Sequence, residues 1–355
     1  LLSACYNVKS ITLSKGITTI SKASFQDCYN LRTVIIPNSV TVLKESAFEY
    51  SHGIEIVSLP NSITSIGDWG FTYSHLLEII IPNSVLTMGK SVFSQNSRLK
   101  KVIIGSGIAE FPDYTFNDCS NLKEIIIPEN IISIGNGCFY NCYELNEIVI
   151  PKNVVTIKNK AFYGCRSLQK LIIPNTVSSI GSEQVCYGLS SLKEIELPNS
   201  LIVIGNQFIN GAYCLSKITI PDGVTNIGDN SFSYCYSLLE VKIPSGVTII
   251  GARAFYNCES ILKYDFSECS QIPILTDTTA FSGMPTDCKI IVPDALYDEW
   301  IAATNWSNYA DYIVKTSEVY MSILEEIMPT GETFDGLGGT EEEIESVADE
   351  ILGNK

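Results

Sequence analysis

The sequence is poor in histidine, in basic residues and in long apolar runs, and each shortage disfavours a class of function. Two histidines among 355 residues leave few candidates for histidine-based catalysis or for a metal site. Lys and Arg number 23 against 39 Asp and Glu, and a net charge of −16 does not suit nucleic-acid binding, because phosphate contacts need a basic surface. No apolar run approaches the about 20 residues of a transmembrane helix, so membrane insertion is not expected.

A repeat of about 23 residues dominates what the sequence does contain. The stretch EIIIPENIISIG (124–135) returns as EIVIPKNVVTIK from Glu147 and as KLIIPNTVSSIG from Lys170. The step between the prolines that close the copies is 23 residues almost throughout, with one step of 22 and one of 24. We count twelve copies of F-x-x-C-x-x-L-x-x-I-x-I-P-x-x-V-x-x-I-G-x-x-A between Leu2 and about Phe266.

Each copy predicts a short strand that cannot fold alone. In L-x-x-I-x-I-P the residues equivalent to Leu122, Ile125 and Ile127 face inward, and the proline ends the strand. A single coil cannot bury its apolar face, so stacked coils must share one core. The expected fold is a repeat solenoid over residues 1–266 with a parallel sheet. Its phenylalanine column runs from Phe25 to Phe255, with Val185 and Phe208 as the members near its middle.

The repeat unit resembles the BspA-like leucine-rich repeat, a family of bacterial surface and secreted proteins also found in some protists. The resemblance covers roughly residues 2–266. It implies a leucine-rich-repeat arc with a concave parallel sheet, and a scaffold for binding or adhesion rather than an enzyme. The implied location is extracellular, at the cell surface, or in a virion. The segment Cys288–Val314 resembles a C-terminal module that often closes such arrays in gut bacteria and their phages.

The period fails after Phe266, and a cap is expected over residues 267–315 because an open solenoid end must be covered. The stretch DALYDEWIAATNW predicts a helix with Asp294 at its N-cap. Leu296, Trp300 and Ile301 would share the face of this helix that packs on the coils.

Residues 316–355 form an acidic tail, since residues 318–355 hold 11 acidic and 1 basic residues. A short helix is predicted in SEVYMSILEEIM, ending at Pro329, and a second one over residues 340–352. Whether this second helix docks on the cap or on another chain stays open. Because the sequence begins in mid-repeat, at Leu1, we expect it to be a piece of a longer protein.

The main candidate binding surface is the fifth strand position, which should point towards the concave face. From the second to the eighth coil, six of its seven residues are β-branched and apolar: Ile35, Ile80, Ile103, Ile126, Val149 and Ile172. An uncovered line of such side chains indicates a contact surface for a protein or glycan ligand. The alternative is that these residues simply stack well along a curved sheet that half-shields them.

The third strand position forms a ladder of nearly alternating charge. Ion pairs between neighbouring coils would keep the register and the solubility: Glu78, Lys101, Glu124, Glu147, Lys170, Glu194, Lys217, Glu240 and Lys263. Glu124 and Glu147 are like-charged neighbours. A carboxylate pair could serve acid–base work or metal binding, but no third ligand is placed beside it.

The two histidines lie 23 residues apart at equivalent positions, as do Tyr50 and Tyr73. Stacked coils would bring His52 and His75 to about 5 Å, where they could form a weak metal or pH-sensitive site. The alternative is a duplicated coil whose exposed histidines have no role, and no cofactor is expected. Tyrosine, with 18 residues, clusters around the F-x-x-C turn, either for recognition or as a structural cap.

Seven of the twelve cysteines share one repeat position: Cys5, Cys28, Cys119, Cys142, Cys165, Cys235 and Cys258. In other coils this position holds a small residue: Ser51, Ser74, Asn96, Gly188 or Gly211. We therefore expect free thiols at a tight turn, since a line of single cysteines supplies neither regular disulfides nor a zinc site.

These patterns favour a non-catalytic binding or adhesion scaffold. Two alternatives remain at this point, a structural spacer in a larger assembly and a weak metal-dependent or glycan-processing enzyme. The enzyme is disfavoured because the sequence places no Ser–His–Asp or Cys–His set and no phosphate-binding glycine loop.

Overall fold

Each repeat forms one coil of a parallel β-solenoid, and the chain makes about thirteen such turns. The structure, a computed structural model, describes residues 3–327. The longer strands stack into what we call the front sheet: Ser10–Thr12, Thr33–Ile35, Glu78–Ile81, Lys101–Ile104, Glu124–Ile126, Lys170–Ile172, Glu194–Glu196, Glu240–Lys242, Lys263–Asp265, Lys289–Val292 and Ile313–Lys315.

A second parallel sheet, which the repeat did not predict, runs along another side of the coils. It arises from the V-x-x-I part of each copy, and its strands have two residues each: Thr19–Ile20, Val42–Leu43, Ser65–Ile66, Thr87–Met88, Glu110–Phe111, Ser133–Ile134, Thr156–Ile157, Ser179–Ile180, Val203–Ile204, Asn226–Ile227, Ile249–Ile250 and Ile274–Leu275. Such strands are too short to show alternation in a sequence.

A ladder of phenylalanine rings fills the core between the coils. Phe116, Phe139 and Phe162 are fully buried and stack with ring centroids 5.7 Å apart. The prediction that Val185 and Phe208 belong to this ladder was wrong. The extra residue between Pro174 and Pro198 shifts the register, so Cys186 and Ile209 occupy these places, as the bonds from Cys186 N to Phe208 O and from Ile209 N to Ser231 O show.

The same shift corrects the cysteine position, where Leu189 and Ala212 stand instead of Gly188 and Gly211. Leu189 shows that the position does not require a small residue. Its polar side chains donate a hydrogen bond to the carbonyl of the core phenylalanine one coil earlier, from Ser51 Oγ to Phe25 O at 2.6 Å and from Cys142 Sγ to Phe116 O at 3.2 Å. None of the twelve cysteines, all of which lie within the described residues, forms a disulfide.

The C-terminal cap first extends the solenoid and then covers its end. Strand Lys289–Val292 pairs with Lys263–Asp265 and then with Ile313–Lys315, which adds two coils to the front sheet. Between these strands lie a 3-10 helix (Asp294–Leu296), α1 (Tyr297–Ala302) and a second 3-10 helix (Trp306–Tyr312). Trp300 is fully buried against the last coil, with Leu296 and Ile301 partly buried beside it, as predicted.

The predicted N-cap role of Asp294 was wrong. Asp294 lies inside the first 3-10 turn, whose N-cap is Pro293, and its carboxylate accepts a hydrogen bond from Ser317 N at 3.0 Å. It thereby caps the first turn of α2 (Thr316–Ile327), the helix predicted in SEVYMSILEEIM. The helix expected over residues 340–352 lies outside the described residues.

Candidate functional site

The predicted line of apolar side chains lies on the outer face of the front sheet; we call it the contact stripe. Strand alternation turns Ile125 inward, where it is 8% exposed, and Ile126 outward, where it is 60% exposed. Ile103 is half-buried because it pairs in register with Ile80 on one side and Ile126 on the other. The other members are exposed: Ile35, Ile80, Val149 and Ile172. Their exposure agrees with the sequence analysis, while the binding role stays a prediction.

The charged side chains beside the contact stripe form ion pairs between neighbouring coils, as the repeat predicts. Lys101 Nζ lies 2.9 Å from Glu124 Oε2, and Lys170 Nζ lies 2.6 Å from Glu194 Oε1. Glu240 and Lys263 form a further pair at 3.1 Å. These exposed pairs each contribute less than about 1 kcal/mol. Their value is to fix which residues face each other across the coils.

The front ladder is interrupted on both sides of segment 146–150, next to the like-charged pair of the charge ladder. The segment 146–150 forms no backbone hydrogen bond with the front strand on either side, whereas among the other described coils each front segment pairs with at least one neighbour. Glu147 would face the like-charged Glu124 on one side, which weakens strand pairing there. Charge is not the whole cause, because the front ladder is also interrupted where Glu147 would face Lys170 and where Glu194 would face Lys217. The second sheet remains paired in the same coil, with Thr156 opposite both Ser133 and Ser179. The opening is therefore confined to the front.

A cavity of about 970 Å³ lies at this opening, between the coil of residues 146–152 and the coil of residues 169–176. Aliphatic and proline side chains form most of its wall: Ile148, Val149, Ile150, Pro151, Ile172 and Pro174. A smaller cavity of about 330 Å³ shares Ile172 and Pro174 and reaches Thr219 and Pro221. Together they extend the contact stripe into a groove along the proline-closed ends of the strands. We call the segment 146–150 with the larger cavity the open coil.

The two histidines lie side by side at the predicted spacing, with ring centroids 4.6 Å apart, but their planes are tilted by 50° rather than stacked. Tyr50 stacks on Tyr73 with ring centroids 4.8 Å apart. Tyr29 extends the column at 5.3 Å from His52. Both histidines are half-buried rather than exposed, and the Nδ1 atom of His52 is buried with no hydrogen-bond partner. Burial, followed by the neighbouring His75, lowers the pKa of His52. The column is thus a packed row of aromatic rings with a partly buried imidazole inside it.

Tyrosine rings form further stacks along the turn edge. Tyr163 lies 4.4 Å from Tyr140 and 4.7 Å from Tyr187, with ring planes within 6° of parallel. The Arg166 guanidinium sits 4.6 Å from the ring centre of Tyr143. Since stacked rings turn their faces to one another, these tyrosines stabilise the coils, and only their edges and hydroxyl groups face outward.

The described residues offer little for catalysis. Among residues 3–327, no group of three or more His, Cys, Asp or Glu side chains could hold a metal ion. Burial raises the pKa of the Cys258 thiol to about 12 and that of Cys269 to about 11, whereas a nucleophilic cysteine needs a lowered pKa. In the same part of the chain, no helix has the length and apolarity to cross a bilayer.

Sequence reasoning missed two features of the surface. One is the open coil, which depends on backbone pairing; the adjacent Glu124 and Glu147 were its visible signal. The other is a second exposed apolar column on the outer side of the second sheet, which includes Ile132, Val155 and Ile202. Its signal was a β-branched residue four positions after most of the repeat prolines, with Leu86 and Ser178 as the exceptions.

The comparisons with known proteins agree with this architecture. The family model described as "BspA type Leucine rich repeat region" matches in six copies, over residues 1–123, 109–211 and 156–286. No curated protein matches the chain.

Solved structures share the fold at low sequence identity. A leucine-rich repeat protein from Bacteroides ovatus is 22% identical with a TM-score of 0.69, and the match covers 88% of this chain and 85% of that one. The pneumococcal vaccine antigen PcpA is 18% identical with a TM-score of 0.57 and coverage of 88% and 89%. A leucine-rich repeat protein from Eubacterium ventriosum is 22% identical with a TM-score of 0.53 and coverage of 78% and 83%. Since the family model covers most of the sequence, the chain belongs to the BspA-type leucine-rich-repeat family.

Proposed function

We propose that the protein is a non-catalytic scaffold that binds a protein or glycan ligand through the outer face of its front sheet. The observation that carries the proposal is the contact stripe. Its members Ile80, Ile103 and Ile126 stand in direct register, and Val149 and Ile172 continue the line. Fully burying one aliphatic side chain of this size contributes about 1.5–3 kcal/mol, so a ligand that covers the stripe gains several such terms. The paired strands of Ile80, Ile103 and Ile126 hold this part of the surface rigid, which lowers the entropic cost of binding.

Display at a bacterial surface, secretion, or a place in a phage appendage is part of the same proposal. It is supported by the family and by the shared fold with a pneumococcal vaccine antigen. Antibody labelling of intact producing cells tests it. Labelling without permeabilisation is expected, and a signal that appears only after permeabilisation would contradict surface display.

The binding test compares two triple variants with the unaltered protein on arrays of extracellular proteins and of glycans. The front variant carries Ile80→Thr, Ile103→Thr and Ile126→Thr. The control changes the apolar column of the second sheet by Ile132→Thr, Val155→Thr and Ile202→Thr. Thr keeps the β-branch, so the strands of both variants should persist. Ligands should be lost by the front variant and kept by the control, and the reverse pattern would refute the assignment.

A further inference from the structure

The open coil carries an acidic group, Glu147, that no other residue of the described range 3–327 neutralises. Of the two neighbours of Glu147 in the charge ladder, Glu124 has the same sign and is bound to Lys101, while Lys170 is bound to Glu194 at 2.6 Å. Among the described residues no cation lies within ion-pair distance of Glu147. The cavity wall carries two acids, Glu129 and Glu147, and two bases, Lys152 and Lys170. Because Lys170 is paired with Glu194 outside the wall, the other three charges leave one negative charge in excess at the cavity.

The same coil presents the most exposed large aliphatic side chain of the described residues, Val149 at 69%. Val149 and Ile172 both line the cavity of about 970 Å³, whose wall includes no aromatic side chain. A sugar ring is commonly held against an aromatic face, which this wall does not offer. An aliphatic side chain fits it by simple apolar burial.

Main-chain and amide groups supply the polar part of the site. The backbone of segment 146–150 has donors and acceptors that the neighbouring front strands leave unpaired. The side-chain amides of Asn146 and Gln169 stand at the cavity wall. Such groups match the main chain of an extended peptide, because that chain offers a donor and an acceptor at nearly every residue.

We propose that the open coil is a docking site for an extended segment of a partner protein that carries a Lys or Arg beside an aliphatic residue. The cation pairs with Glu147, and the aliphatic side chain enters the cavity against Val149 and Ile172. The proposal rests on the proposed function, since it names the partner chemistry at one end of the contact stripe. The apolar contact supplies the affinity, and the charge pair fixes the orientation and raises the association rate.

The test uses random short peptides displayed on phage and selected against the purified chain, followed by synthesis of the enriched sequences as free peptides. The expected peptides contain a Lys or Arg adjacent to Leu, Ile, Val or Met. Their affinity should fall about five- to tenfold for Glu147→Gln, and at least about tenfold for Glu147→Lys or Val149→Asp. It should also fall as salt increases, because the charge pair is screened.

Matched controls lie in the same two columns, away from the open coil. Glu240→Gln removes a carboxylate from the charge ladder, and Ile35→Asp changes an exposed member of the contact stripe. Both should leave peptide affinity unchanged. Circular dichroism and the melting temperature confirm that each variant is folded, which is expected because the altered side chains are exposed.

Three outcomes would overturn the inference. The selection could enrich no peptide, it could enrich peptides without a cation, or the enriched peptides could bind the Glu147 and Val149 variants as tightly as the unaltered chain. Each leaves the proposed function standing if the front triple variant still loses its array ligands. If no front variant lost peptide binding and none lost its array ligands, both this inference and the proposed function would be overturned.

Discussion

Two neighbouring isoleucines on opposite faces of one front strand provide a direct test of the fold assignment. Ile125 faces the core at 8% exposure, and Ile126 faces solvent at 60%. The same substitution at both positions should have very different effects. We expect Ile125→Thr to lower the free energy of unfolding by about 3 kcal/mol, and Ile126→Thr by less than about 1 kcal/mol.

These magnitudes follow from the atoms that change. Replacing Ile with Thr removes a methyl group and turns a methylene into a hydroxyl, so about two apolar carbons are lost, or about 1.6 kcal/mol when fully buried. At Ile125 the residual cavity and the buried hydroxyl add about 1–2 kcal/mol. At Ile126 only about two-fifths of the side chain is shielded, which reduces the loss to about 0.6 kcal/mol, and the new hydroxyl is hydrated.

Urea denaturation followed by far-ultraviolet circular dichroism measures both effects. Ile125→Thr should lower the transition midpoint clearly, while Ile126→Thr should leave it nearly unchanged, with similar slopes for both proteins. Equal losses for the two variants would mean that Ile126 is buried. The contact stripe would then be part of the core, and the proposed binding face would be wrong.

Three further predictions concern thiols, histidine and the open coil. In the folded protein a thiol reagent should label the exposed Cys214 first, and all twelve cysteines should react after unfolding without reductant; a large blocked fraction would indicate disulfides. The pKa of His52 is lowered from 6.5, so the unfolded state binds this proton first as the pH falls below about 6.5, and the free energy of unfolding declines there. His52→Gln should therefore flatten the decline in melting temperature with falling pH. An unchanged pH profile would contradict this. The Ile148 and Val149 amides should exchange with deuterium faster than that of Ile157 in the same coil, and equal protection would mean that the front ladder is closed.

The repeat predicted those parts of the fold that a 23-residue period determines. Once the coils stack, the inward position of Ile125, the outward position of Ile126 and the proximity of His52 to His75 follow from alternation and spacing. The cap helix was recognisable because Leu296 and Trp300 recur at helical spacing.

What the sequence did not reveal depends on contacts between coils. The two-residue strands of the second sheet exist only because each bonds to its neighbours. Cys186 and Ile209 occupy the phenylalanine column because the inserted residue is accommodated before Cys186. The repeat period alone does not determine where in the coil such a residue is accommodated. The open coil depends on which front segments form backbone hydrogen bonds with their neighbours, and in the sequence it is marked only by the adjacent Glu124 and Glu147.

Hydrogen–deuterium exchange of the chain with and without a selected peptide tests the central claim, that the front face at the open coil is a binding surface. The peptide should slow exchange in residues 144–150 and 169–176, and leave the second-sheet strands Ser133–Ile134 and Thr156–Ile157 unchanged. Protection confined to the second sheet or to the tyrosine stacks of the turn edge would contradict the account.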